Sequence, residues 1–313
     1  MKSIERLTEE EVLSSTYTSF VGALGYEERS KFVASQIWQN CTHRHVASFS
    51  DRHVFAFDQN LKWYKRKDFL IGDIEDFQFE EWWTSILHEA VTSATRGQAR
   101  VCVDISSMNR FRIAILISTL LRSTIRKPIM VDFVYARAKY VDPPREIDPI
   151  VFSKPVIPFF AGWSNNLNAS PTVIFGLGYD KEKAVGVTEY LEPGAIWAFV
   201  PTEQDARYER AIKRANKYFW DTIPADHLIR YDISKPYDCL VQLESLVYAV
   251  LKERRVVLVP FGPKIFTVCC CLVAGLHLPN VSVWRVSSGA FATPINRIAD
   301  GSCTGISVRF DGR

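Results

Sequence analysis

The sequence lacks most of the short motifs that assign a chemistry at sight. It has no GxxxxGK[ST] loop, which excludes an ATPase of the P-loop type. It has no GxSxG elbow either, which excludes the usual hydrolase nucleophile. Cys41, His43, Arg44 and His45 make the only Cys/His cluster; with no second ligand pair at finger spacing, no zinc site is expected. No cofactor is assigned, because neither glycine-containing turn described below reaches the full GxGxxG dinucleotide fingerprint. Excess charge is also missing: 38 Lys and Arg stand against 35 Asp and Glu, a net charge of +3. That excludes a bulk nucleic-acid coat or a membrane-surface protein, so an anionic ligand must be met locally.

Long apolar runs are equally scarce. The longest, VVLVPFGPKIFTVCCCLVAGL, is broken by Pro260, Gly262, Pro263 and Lys264, so no membrane span is expected. The opening MKSIERLTEEEV carries charges throughout and no apolar core of signal-peptide length, which leads to a cytoplasmic expectation. The seven cysteines sit mainly in apolar runs, among them Cys102, Cys239, Cys269, Cys270 and Cys271. They read as buried free thiols of a reducing compartment.

What is present is a globular composition, 313 residues with 47% hydrophobic and 23% charged content, and a repeat. FVGALGYEERS at Phe20–Ser30 returns as IFGLGYDKEKA at Ile174–Ala184. Gly25-Tyr26 aligns with Gly178-Tyr179, Asp73-Ile74 with Asp232-Ile233 and Phe111 with Phe266, all displaced by roughly 150 to 160 residues. Between these anchors, uniformly apolar strands such as VCVDI, VVLVP and IMVDFVYA alternate with helical patterns. The reading is α/β: two tandem Rossmann-like, doubly wound parallel-sheet units from an internal duplication. Residues 1–145 form the first unit, 146–170 a Pro/Asn-rich linker with a short strand or two, and 171–313 the second unit. Asp300-Gly301 predicts a closing C-terminal hairpin in that second unit. In the first unit HVFAFD, His53–Asp58, follows the first helix and puts Asp58 at the end of a second strand.

In such sheets ligands bind beyond the carboxyl ends of the strands. Gly22 and Gly25 allow a tight turn there, the following helix offers N–H groups to a phosphate, and Arg29 adds a charged fork. Gly176, Gly178, Tyr26 and Tyr179 belong to the same pair of turns. Glu27 and Glu28 oppose a phosphate, and the plainer reading is glutamates that stabilise a helix start. The second place is the turn after the fourth strand, VDISSMNRF and VPFGPKIF. Ser106, Ser107, Asn109 and Arg110 make a polar rim in one; Gly262 and Lys264 supply close backbone approach and a cation in the other. The alternative is a capped helix without ligand, with Ser106 or Ser107 as the cap.

At these residues the chain resembles the CRISPR-associated Rossmann fold (CARF) family and its fused double form, the SAVED domain. Gly262-Pro263-Lys264 is similar to the family's Gly-(Thr or Pro)-Lys turn, and Ser106 to Arg110 is a looser match without the glycine and lysine. The resemblance implies a pocket for cyclic or linear oligonucleotide second messengers, here with the two turns as halves of one anionic site. It implies a nucleotide sensor in bacterial antiviral defence that signals through oligomerisation or a partner protein. An enzyme of nucleotide-like substrates, N-glycosidase or phosphodiesterase, is the alternative, with Asp104 and Asp58 as catalytic carboxylates and Glu28 and Asp73 nearby. A third reading is a non-catalytic scaffold presenting Trp82-Trp83 or Trp163 to a partner.

Overall fold

The computed structural model describes residues 1–49, 53–94, 97–143, 147–163, 170–203 and 205–311. Part of the expected linker and the last residue of the expected FEEWWTSILHEAVTSAT helix fall outside these. Two compact units emerge: Met1–Lys139 together with Pro294–Arg313, and Tyr140–Thr293.

The first unit runs β1 (Ser3–Leu7), α1 (Glu9–Ser14), β2 (Tyr17–Leu24), a 3-10 turn (Glu28–Lys31), α2 (Phe32–Ile37), β3 (Cys41–Ser48), α3 (Phe57–Arg66) and β4 (Leu70–Asp73). It continues through α4 (Phe79–Ser93), β5 (Ala99–Asp104), α5 (Arg110–Arg122) and β6 (Ile129–Ala138). The second unit runs β7 (Phe152–Pro155), β8 (Thr172–Gly176), α6 (Lys183–Leu191), β9 (Ala195–Thr202), α7 (Arg207–Ala215), α8 (Lys217–Thr222) and β10 (Leu228–Asp232). It ends with α9 (Pro236–Val250), β11 (Val256–Pro260), α10 (Lys264–Leu276) and β12 (Val281–Ser287), before β13 (Ala299–Phe310).

The repeat is exact at the level of topology. Five parallel strands are ordered β4-β3-β2-β5-β6 in one sheet and β10-β9-β8-β11-β12 in the other. Each is extended by an antiparallel strand, β13 on β6 and β7 on β12. The central strands are apolar on both faces because helices cover both: β8 and β11 are buried at every position. The strand order reverses at β2 and at β8, and such a switch point opens a crevice at the carboxyl ends of the strands.

Three expectations are corrected. The second strand of the first unit is Cys41–Ser48, not His53–Asp58; Phe57 begins α3 and Asp58 is an exposed residue of its first turn. The tail does not close the second unit. It is one long strand, β13, that pairs with β6 from Phe310↔Ile129 to Ala299↔Ala138 and with β1 from Gly305↔Leu7 to Arg309↔Ser3. The expected turn at Asp300-Gly301 is a bulge within it, where Asp300 Oδ1 accepts from the Ser302 amide (2.9 Å) and hydroxyl (2.6 Å). A buried carboxylate pins the strand: Asp132 accepts from Ser307 Oγ at 2.6 Å, Tyr17 at 3.1 Å and Arg100 Nε at 2.8 Å. Burial pushes its pKa up, and these donors pull it part of the way back.

All seven cysteines are buried and none forms a disulfide. Burial pushes the thiols of Cys41 and Cys303 up to about 12, and that of Cys271 higher still. In the native protein a chromogenic disulfide reagent is therefore expected to titrate fewer than one thiol within minutes, and all seven only after urea is added. Prompt reaction of a native thiol would contradict the packing of these side chains. No helix among the described residues is long and apolar enough to cross a membrane.

Candidate functional site

In both units the turns after the first and fourth parallel strands touch, as the crevice geometry requires. A Cβ placed on Gly25 would lie 2.8 Å from Ser107 Cβ. One on Gly178 would lie 2.9 Å from the Phe261 carbonyl oxygen, and one on Gly262 2.5 Å from that of Leu177. Gly178 and Gly262 are thus fixed by the contact of two backbones, and Gly25 by the Ser107 side chain lying against it. Gly22 and Gly176 play a different part. Gly22 lies within β2 against its own neighbour Phe20, and Gly176 ends β8 where the ring of Phe266 packs on it. Neither is positioned as a turn residue.

Each Gly-Tyr turn is held by an asparagine that sequence reading missed. Asn60 on α3, fully buried, donates its amide to the carbonyls of Gly25 and Glu27, both at 2.9 Å. Asn216, between α7 and α8, donates to the carbonyl of Gly178 at 2.9 Å and is also buried. Their separation matches the offset of the repeat, which is the signal that would have found them. The tyrosines match as well: Tyr26 packs on Phe55 with ring centroids 6.0 Å apart, and Tyr179 stacks on Tyr208 at 6.0 Å.

The two crevices then diverge. In the first unit the donors are consumed internally. The Gly25 amide donates to Ser30 Oγ (3.0 Å), that of Glu28 to Asn296 (2.9 Å) and that of Arg29 to the Arg297 carbonyl (3.0 Å). Arg29, expected as a ligand fork, is buried. Its Nε meets Glu27 at 2.5 Å, and its remaining nitrogens donate to Tyr135 Oη (3.0 Å) and to the carbonyls of Ala136 (2.9 Å) and Ser106 (3.3 Å). Burial pulls its pKa down, but Glu27 and Tyr135 raise it by more, so the guanidinium stays charged.

The second turn of this unit is likewise closed on itself. Asp104 Oδ1 accepts from the amide (2.9 Å) and hydroxyl (2.5 Å) of Ser106, and Ser106 Oγ accepts from the Ala136 amide (2.8 Å). The cap of α5 is Asn109, not a serine: its Oδ1 accepts from the Arg112 amide at 2.8 Å. Arg110 follows half-buried on α5, and Ser107 Oγ is buried with no hydrogen-bond partner. Arg112, not anticipated, ties α5 to the ends of β3 and β4. It donates to the carbonyls of Ser48 (3.4 Å) and Ile74 (2.5 Å) and to Asp76 (2.9 Å), with its guanidinium over the Phe49 ring.

The second unit differs at both turns. Lys183, one residue past the position that corresponds to Arg29, donates to Asp180 (3.3 Å) and Ser288 Oγ (2.9 Å). Helix α10 starts with Lys264 at its first position after Pro263, and no side chain caps it. The positive end of the α10 dipole, with half-buried Lys264 as its first residue, therefore directly follows the Gly262 turn that touches Gly178. Among the described residues no cluster of His, Cys, Asp and Glu suits a metal ion.

Near the carboxyl ends of the last parallel strands, β6 and β12, stand two further arginines. Arg137 is held by Ser302 (2.7 Å) and Asp300 (3.3 Å), and Arg285 lies over the Phe152 ring. Glu28 heads the 3-10 turn, and Asp73 is the exposed last residue of edge strand β4. Trp83 is fully buried and donates to the Leu116 carbonyl; Trp82 is half-buried and Trp163 exposed. The chain matches no protein-family model, and no curated protein is significantly similar to it.

Proposed function

We propose that this chain is a nucleotide-binding sensor whose ligand site is the crevice of the second unit, formed by Gly178, Tyr179, Gly262 and Lys264. The supporting observation is the contrast between the two repeats. Asn109 caps α5 of the first unit with its side chain, whereas no side chain caps α10, which opens with Lys264 directly after the Gly262 turn that touches Gly178. A phosphate at the α10 N-terminus is favoured by the dipole and the lysine, and the Tyr179 ring, already stacked on Tyr208, offers a face for a base. The resemblance of Gly262-Pro263-Lys264 to the CARF and SAVED turn makes an oligonucleotide second messenger, cyclic or linear, the ligand class, and antiviral defence in bacteria the setting. Output then passes to a second copy or a partner protein. The carboxylates lend the enzymatic alternative nothing: Asp104 is engaged by Ser106, and Asp58 stands exposed on a helix.

The test is thermal stability of the purified protein against a panel of mononucleotides, NAD and cyclic oligonucleotides, with the compounds analysed afterwards. A true ligand at a hundred times its Kd stabilises by about 2.7 kcal/mol through mass action. That shift is expected in wild type and lost in Lys264→Ala, with the ligand recovered intact. Recovered product would move the reading to the enzyme, and a panel with no shift would overturn the site.

A further inference from the structure

A second surface lies on α7. Successive helical residues turn by about 100°, so Arg207, Arg210, Lys213 and Arg214 share one sector of about 120°. Tyr208, Ala211, Ile212 and Ala215 occupy the opposite side and are buried. Lys217 continues the row at the start of α8, beside Tyr218, which is 70% exposed. All five cations face solvent.

A merely solvated face would mix signs at three- and four-residue spacing. Here Arg210 has Arg207, Lys213 and Arg214 at those spacings, all of its own sign. Arg207 and Arg210 also stand in the first helical turn, where the dipole disfavours cations. Asp205 answers Arg207 through a two-oxygen contact, and Glu209, the one carboxylate of α7, is taken by Arg230 at 2.8 Å. Among the described residues no carboxylate pairs with Arg210, Lys213, Arg214 or Lys217. Aromatic rings lie among the cations: the Arg207 guanidinium is 4.6 Å above Tyr140 and the Lys213 ammonium 5.6 Å from Trp220.

We infer that this face docks single-stranded nucleic acid. A row of cations tracks a phosphate backbone, and an exposed tyrosine at its end supplies a stacking platform that every base can use. A membrane would call for exposed aliphatic side chains in the same sector, and α7 has none there. The near balance of charge over the whole chain makes the concentration local. The inference uses none of the residues of the Gly262–Lys264 turn, and α7 meets the proposed nucleotide site on its other side, where buried Tyr208 stacks on Tyr179.

The experiment is fluorescence anisotropy of a labelled 20-residue oligouridine with the full chain over a series of salt concentrations. With about four phosphates neutralised, log K should fall against log[salt] with a slope of about −3. Arg210→Glu/Arg214→Glu should weaken binding at least tenfold, and Arg210→Lys/Arg214→Lys should keep it. Tyr218→Ala should cost roughly fivefold or more, while Lys62→Glu/Lys65→Glu on α3 should change nothing. If the double glutamate variant loses its native circular dichroism, Arg210→Gln and Tyr218→Ala carry the comparison. Absence of binding at low salt, unchanged affinity in a folded variant, or tighter salt-dependent binding to a polyglutamate peptide or to anionic vesicles would each overturn the inference.

Discussion

Replacing Arg29 by Met is expected to destabilise the first unit by about 3 to 5 kcal/mol, the cost of breaking a buried ion pair from one side. Glu27 is itself buried, so the substitution strands its carboxylate and leaves three further acceptors, Tyr135 Oη and the carbonyls of Ala136 and Ser106, without their donor. Because the guanidinium joins the turn after β2, the turn after β5 and the end of β6, the loss should be felt across the whole crevice and not at one loop. Urea denaturation followed by hydrogen exchange at the β2, β5 and β6 amides reads both the size and the place of the effect. The companion variant Arg29→Met/Glu27→Gln, which removes the orphaned charge, should recover part of the loss. A single variant within about 0.5 kcal/mol of wild type would mean that the arginine is not a structural occupant, and would return it to the list of ligand contacts.

Gly262→Ala is expected to cost about 1 to 3 kcal/mol, as overpacking does, before any ligand is considered. The added methyl would sit 2.5 Å from the carbonyl oxygen of Leu177, and both partners are backbone in a tight turn: the Gly262 and Phe261 amides already donate to the Gly176 carbonyl at 2.8 Å. Neither side can yield as a flexible side chain would. This distinguishes two reasons for a glycine in such a turn. If it serves only the approach of a phosphate, the apo protein will tolerate alanine and only binding will suffer. The present geometry requires that the apo protein lose stability too, which denaturation midpoints without nucleotide will decide.

The architecture was legible because burial on both faces leaves strands with few polar residues, and VCVD, TVIF and VVLV carry that mark wherever they occur. The repeated Gly-Tyr pairs mark the turns because the close contacts at Gly25 and Gly178 leave few substitutes for glycine. Strand β3 escaped because its first half, CTHRH, is only partly buried and carries Arg44 and His43 toward solvent and the neighbouring helix. The apolar FAF read as a strand instead is the entry to α3: Phe55 is exposed, and only Ala56 and Phe57, at the helix start, are buried. Asn60 and Asn216 looked like ordinary polar residues of helices, and only their contact with the glycine carbonyls gives them a role. Arg29 was read as a ligand residue because sequence shows an arginine beside a turn but not the carboxylate already paired with it. The cationic row of α7 was diluted by the even balance of the whole chain; it appears once the buried side of the helix is known.

Pairing of β13 with both β1 and β6 has a consequence for the order of events during synthesis. β1 finds its neighbour only when β13, far downstream, arrives, and the edge of β6 stays open until then. At 5 to 20 residues per second, making the stretch from β6 to β13 takes on the order of ten to thirty seconds. Throughout that time the nascent chain exposes an unpaired parallel edge, a template for wrong partners. The second unit, continuous in sequence, has no such wait.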